Sequence, residues 1–136
     1  MESNNTLLAV VFSALGGILL LLTDFAGWSE PTYYGLNDYY VFIGSEYAPL
    51  LSQLLVAIMG LALLATAYFS YRAMQGEPEL VHRAYQLALG TLVLVIFSAV
   101  LFFILAWEAT YSWLDVGFFG GLIGSGASLF FLRQAR

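Results

Sequence analysis

Four long apolar runs, at residues 7–22, 48–68, 84–107 and 116–132, take up more than half of this chain. A helix needs roughly 20 apolar residues to cross the hydrocarbon of a bilayer. Two runs reach that length, and the other two are flanked by Asp24 and Asp115, carboxylates suited to headgroup level, so each of these helices can extend a turn into the interface. Composition agrees: 61% of residues are hydrophobic and 10% charged, against about 25% charged in a soluble domain. The expectation is an all-α membrane protein with one domain, residues 1–136. Its four transmembrane helices, at about 7–26, 48–70, 84–107 and 114–132, form an antiparallel bundle. A first outer loop of about 25 residues and a short second one connect them. Met1 to Thr6 carries no Lys or Arg, so the first span reads as a retained helix rather than a signal peptide.

The few basic residues set the orientation. All four are arginines: Arg72 and Arg83 lie between the second and third spans, Arg133 and Arg136 at the C-terminus. With four spans these regions share one side with the N-terminus, and the positive-inside rule makes that side cytoplasmic. The expected localisation is a multi-pass protein of the cell membrane with both termini inside. Asp24, Glu30, Asp38, Glu46, Glu108 and Asp115 then face outward with no base among them.

The first outer loop is also rich in aromatic residues. Trp28, Tyr33, Tyr34, Tyr39 and Tyr40 are its candidate interaction residues, since aromatic rings offer contact area at small entropic cost. In "YYGLNDYY" a turn at Gly35 to Asp38 would make a short β-hairpin; the alternative is a coil lying on the headgroups. Trp28, Trp107, Tyr111 and Trp113 fall at outer helix ends, where anchoring in the headgroup layer is the default role. Ser45 suits the N-cap of the second helix, and Pro49 is tolerated in its first turn. On the inner side, Gly76 suits the C′ position that ends the second helix, and so short a link makes the second and third helices neighbours.

The fourth span, "DVGFFGGLIGSGASLFF", is the richest in packing signals. Gly117, Gly120, Gly121, Gly124 and Ser128 place small side chains three and four apart, so that a neighbouring backbone can approach closely. That neighbour is either a helix of the same bundle or another membrane chain. Gly16, Gly17, Gly60 and Gly90 give the other helices their own points of close approach.

Reactive chemistry is scarce. No ionisable residue falls at mid-membrane, which disfavours a pump or a coupled transporter. The absence of Cys removes thiolate chemistry, Cys-ligated zinc and iron–sulfur clusters. His82 is the only histidine, and a single His can neither build a zinc site nor ligate a haem from both sides. Asp24, Glu46, Glu108 and Asp115 could converge at the outer mouth of the bundle and hold or steer a cation, though solvated helix caps are the ordinary use of such acids. The net charge of −5 argues against nucleic acid as a partner. No cofactor and no catalytic residue is expected.

Both termini inside, a long first and short second outer loop, Trp28 followed by Gly35-Leu36, and the small-residue fourth span together resemble the claudin and myelin-protein four-span superfamily. The resemblance lies in the layout. Members of that superfamily carry a Trp after the Gly-Leu pair and two Cys that staple a multi-stranded outer sheet, whereas this chain has Asn37 and no Cys. The expected function is a non-catalytic structural or accessory subunit. It would live in the lipid bilayer and contact other membrane proteins or a second copy of itself, through its glycine-rich helix and its outer loop. The competing reading is a small pore or membrane enzyme that uses the outer carboxylates.

Overall fold

The computed structural model describes residues 2–32, 35–41, 49–105 and 111–135. Four helices carry most of the chain: α1 (Glu2–Leu22), α2 (Pro49–Met74), α3 (Leu80–Leu105) and α4 (Val116–Ala135). Each is long and apolar enough to cross a membrane, which bears out the four expected spans in number and kind. Their ends differ from the sequence expectation by a few residues. α1 stops at Leu22, where the Thr23 hydroxyl donates to Leu19 O at 2.5 Å. Asp24 and Asp115 therefore lie outside the helices they were expected to prolong. On the side of the arginines, the helices run past the apolar windows, to Met74 and Ala135 and from Glu2 and Leu80.

The helix starts and stops have local causes. α2 opens on Pro49, whose missing N–H costs nothing in a first turn; Ser45 lies outside the described residues. α2 ends in a Schellman turn. Glu77 N donates back to Arg72 O at 3.3 Å, and Gly76 takes φ = 113°, a left-handed conformation that an L side chain resists. The Glu77 carboxylate then folds back to accept from the Arg72 guanidinium, which also donates to the Tyr68 hydroxyl at 2.7 Å. This closes the link to α3, on which His82 stands exposed.

α1 packs against α2 and α4, and α3 packs against α2 and α4. Two apolar clusters fill the interior. One, nearer the sheet, joins Leu20, Phe25, Met59, Leu63, Val95, Phe102 and Phe118; the other, at the arginine end, joins Ala9, Ala73, Val81, Ala84, Ala88 and Leu132. The outward faces are apolar too. Leu15, Leu61, Val93 and Ile123, one from each helix, are 55–59% exposed, and bare apolar surface all round is expected in lipid rather than in water.

Four hydroxyls within the helices are satisfied locally. Ser13 donates to Ala9 O at 2.5 Å, Thr66 to Ala62 O at 2.8 Å, Thr91 to Leu87 O at 2.8 Å and Ser125 to Gly121 O at 2.6 Å. Bonds back to the carbonyl one turn earlier let a polar side chain sit where no water reaches. Among the described residues, Ser70 Oγ and Ser98 Oγ are buried with no partner.

Three strands form one antiparallel sheet: β1 (Ala26–Thr32), β2 (Gly35–Val41) and β3 (Tyr111–Leu114), in the order β2-β1-β3. β1 and β2 pair one to one, from Ala26↔Val41 to Thr32↔Gly35. The chain thus reverses between Thr32 and Gly35, and Gly35 to Asp38, expected as the turn, lies within β2. The physical reason is that register is not decided by turn-forming residues alone. The one-to-one β1–β2 ladder places the reversal two residues earlier, and β1 is paired on its other edge by β3, from Ala26↔Leu114 to Ser29↔Tyr111. Pro31, which has no N–H to give a ladder, lies beyond the four pairs that join β1 to β3 among the described residues.

Candidate functional site

Two features could carry function: the glycine-lined seam between α1 and α4, and the sheet that β1, β2 and β3 build at one end of the helices. At the seam α1 and α4 meet backbone to backbone. A Cβ placed on Gly124 would stand 2.9 Å from both Gly16 Cα and Phe12 O, and one on Gly16 would stand 2.7 Å from Gly120 O. These neighbours are backbone, so only hydrogen fits between them. Gly120 is closed by Leu19, Gly121 by Leu20, and Gly117 by Asp24 O at 2.8 Å from the added atom. Ser128 completes the line: its hydroxyl donates to Ala9 O across the seam at 3.3 Å.

All five small residues singled out on α4 thus face α1 or the segment that follows it. The stripe is occupied from within the chain. Gly17 and Gly60 make the corresponding close approach between α1 and α2, with 2.9 Å from the added atom to Gly60 O. Gly90 does not behave as expected: a side chain there meets nothing within 4 Å, because it faces outward over the shallow groove between α2 and α3. Over the seam itself lies an open apolar groove of about 350 Å³, lined by Gly16, Gly120 and Gly124 and bordered by Phe12, Leu15 and Phe119.

The sheet is locked to the helices by backbone. Asp115 N donates to Phe25 O and Gly117 N to Asp24 O, each at 2.9 Å. Gly117 has to be glycine for this contact, since Asp24 O occupies the place of its side chain. Phe25 is fully buried and meets Phe118 edge to face with centroids 5.6 Å apart; Ala26, its neighbour in β1, is buried as well. On β3, the Trp113 indole lies across Gly27, where an added Cβ would come within 2.6 Å of the ring. A glycine opposite an aromatic residue on the neighbouring strand lets the ring cover the bare backbone. Trp113, expected as a headgroup anchor, is therefore also a strut of the sheet. Its Nε1 reaches Asp115 Oδ2 at 3.4 Å, while Asp115 Oδ1 accepts from Val116 N at 2.7 Å at the head of α4.

The remaining sequence candidates divide clearly. Trp28, Tyr39 and Tyr40 stand in the paired strands, at Trp28↔Tyr39 and Gly27↔Tyr40. Tyr33, Tyr34, Glu46 and Glu108 lie outside the described residues. Of the four outer carboxylates, the fold brings the backbone of Asp24 and Asp115 together, and Asp115 is engaged in capping. Among the described residues no three His, Cys, Asp or Glu side chains are grouped closely enough to hold a metal ion.

Sequence reasoning missed Gly27, the pairing of β3 with β1, and the backbone lock of Asp24 on Gly117. The signals were slight: a glycine before Trp28, and a four-residue run of strand formers just before Asp115. Compared with protein-family models, with curated proteins and with solved structures, the chain finds no match.

Proposed function

We propose that this chain is a non-catalytic, four-span subunit of the cell membrane, with both termini in the cytoplasm, that works by contact with a protein partner through its outer sheet. One observation carries the reading. The two outer loops are joined into a single sheet that is anchored to α4 by backbone hydrogen bonds and to the core by Phe25. A rigid platform of this kind presents a contact surface already ordered, so little entropy is lost on binding. The acidic and tyrosine-rich composition of the loop suits the same use.

The glycine stripe takes a different part in this reading than in the sequence expectation. It holds α1 to α4, and so positions the platform, instead of serving as the docking face. Strands from both outer loops above four helices are also what supports placing the chain beside the claudin and myelin-protein superfamily in layout. In place of a cysteine staple, the tie here is β3.

The test is gentle extraction of the tagged chain from its native membrane into lipid nanodiscs, followed by native mass measurement. A defined particle heavier than the 15.0 kDa chain, containing a second protein in fixed ratio, is the expected result. A lone chain recovered under the mildest extraction would overturn the reading.

A further inference from the structure

We propose that the outer edge of β2, unpaired among the described residues, takes up an extended segment of the partner protein, bearing Lys or Arg, as a fourth strand of the outer sheet. This rests on the interaction reading above and names the chemistry that the partner must bring. β1 is paired on both sides, by β2 and by β3, so β2 lies at the edge of the sheet. Among the described residues no strand pairs with its outer side. A strand edge is a row of backbone donors and acceptors ready to receive another chain, and sheets ordinarily protect such edges with brevity, Pro, a bulge, a charged side chain or a covering segment.

β3 is protected by being short: it has four residues and leads at once into α4. β2 has one guard, the charge of Asp38, which repels an acidic or like strand but not a basic one. It runs for seven residues in unbroken register, and its sequence, GLNDYYV, contains no Pro and no Lys. The typical strand is about five or six residues long, so the open edge is a full-length template.

Charge selects the occupant. The first basic residue in the chain is Arg72, while Asp24, Glu30, Asp38 and Glu46 all precede it in the outer loop. Asp38 is the middle residue of β2, in register with Ser29 of β1. A second copy of the chain is a poor fit. Antiparallel pairing of β2 with its twin about the strand centre would set Asp38 opposite Asp38, and like charges directly across a ladder are destabilising. A lipid headgroup supplies no ordered row of amides. An extended basic segment satisfies both the edge and the charge, by strand addition.

The experiment uses the full chain in phosphatidylcholine nanodiscs. The probe is a fluorescent, end-capped peptide of the length of β2, alternating Thr and Lys. The comparisons are the same peptide N-methylated along both edges, a Thr/Glu peptide, and the Asp38→Asn variant with its helix content checked by circular dichroism. Saturable binding of the Thr/Lys peptide is expected, weakened about tenfold or more by N-methylation, which removes two or more edge hydrogen bonds. Asp38→Asn should weaken it several-fold at unchanged helix content. Equal binding of the N-methylated peptide, equal binding of the Thr/Glu peptide, or no binding would each overturn the proposal. If the native complex exists and the peptide still fails to bind, the edge proposal falls alone. If no complex exists, the interaction reading falls with it.

Discussion

Gly124→Ala and Gly126→Ala, two residues apart on α4, should have opposite effects. At Gly124 the added methyl would meet Gly16 Cα and Phe12 O at 2.9 Å, whereas carbon contacts are comfortable only from about 3.5 Å. Both neighbours are backbone, so no side chain can swing aside, and α1 and α4 must separate by several tenths of an ångström. Overpacking of this kind costs about 1–3 kcal/mol. At Gly126 the same methyl meets nothing within 4 Å. Exchanging Gly for Ala in a helix is itself favourable by up to about 1 kcal/mol, and that gain is common to the two variants. Their difference therefore isolates the steric cost: Gly124→Ala should be about 1–3 kcal/mol less stable than Gly126→Ala, which itself should match or exceed the parent chain. The assay is reversible unfolding in mixed micelles by titration with dodecyl sulfate, followed by circular dichroism. Equal stabilities for the two variants would refute the seam. So would a Gly124→Ala chain that folds normally alone but loses self-association, since the stripe would then join chains instead of helices.

Three further outcomes follow from the same geometry. Gly27→Ala drives a methyl into the Trp113 ring, 2.6 Å away; a loss of about 1–2 kcal/mol is expected, with a change in tryptophan emission as the indole is displaced. Gly76→Ala has ample room but must hold φ = 113°, so it should lose about 1 kcal/mol from conformational strain alone in the same titration. Asp115→Ala removes the acceptor for Val116 N and the Trp113 Nε1 contact; about 0.5–2 kcal/mol should be lost, with Asp115→Asn restoring most of it because an amide oxygen still caps.

What the sequence makes legible here follows from the range of each interaction. The four helices show directly, because the hydrophobic demand of a bilayer acts on every residue of a span. Gly76 shows as well, since a left-handed turn after a helix is a local requirement. The α4 glycines announce a close contact but not its partner. Only the fold reveals that Gly124 meets Gly16 across more than a hundred residues of chain. Gly90 carries the same residue type and serves no such contact, so composition alone does not separate packing glycines from idle ones. The sheet is the least legible part. A strand of four residues has too little periodicity to stand out, and β1 pairs with β3 from the far end of the sequence. The turn-forming residues Gly35, Asn37 and Asp38 suggested a reversal among themselves, whereas the chain reverses just before them, between Thr32 and Gly35.

The central claim, contact through the outer sheet, is tested most directly by photo-crosslinking in intact cells. A photoreactive residue in place of Asn37 in β2 should give one discrete adduct of a second protein on irradiation, and the same residue in place of Gln75 on the link between α2 and α3 should give none. Adducts from Gln75 alone, or from neither position in cells that make the chain at its native level, would contradict the account.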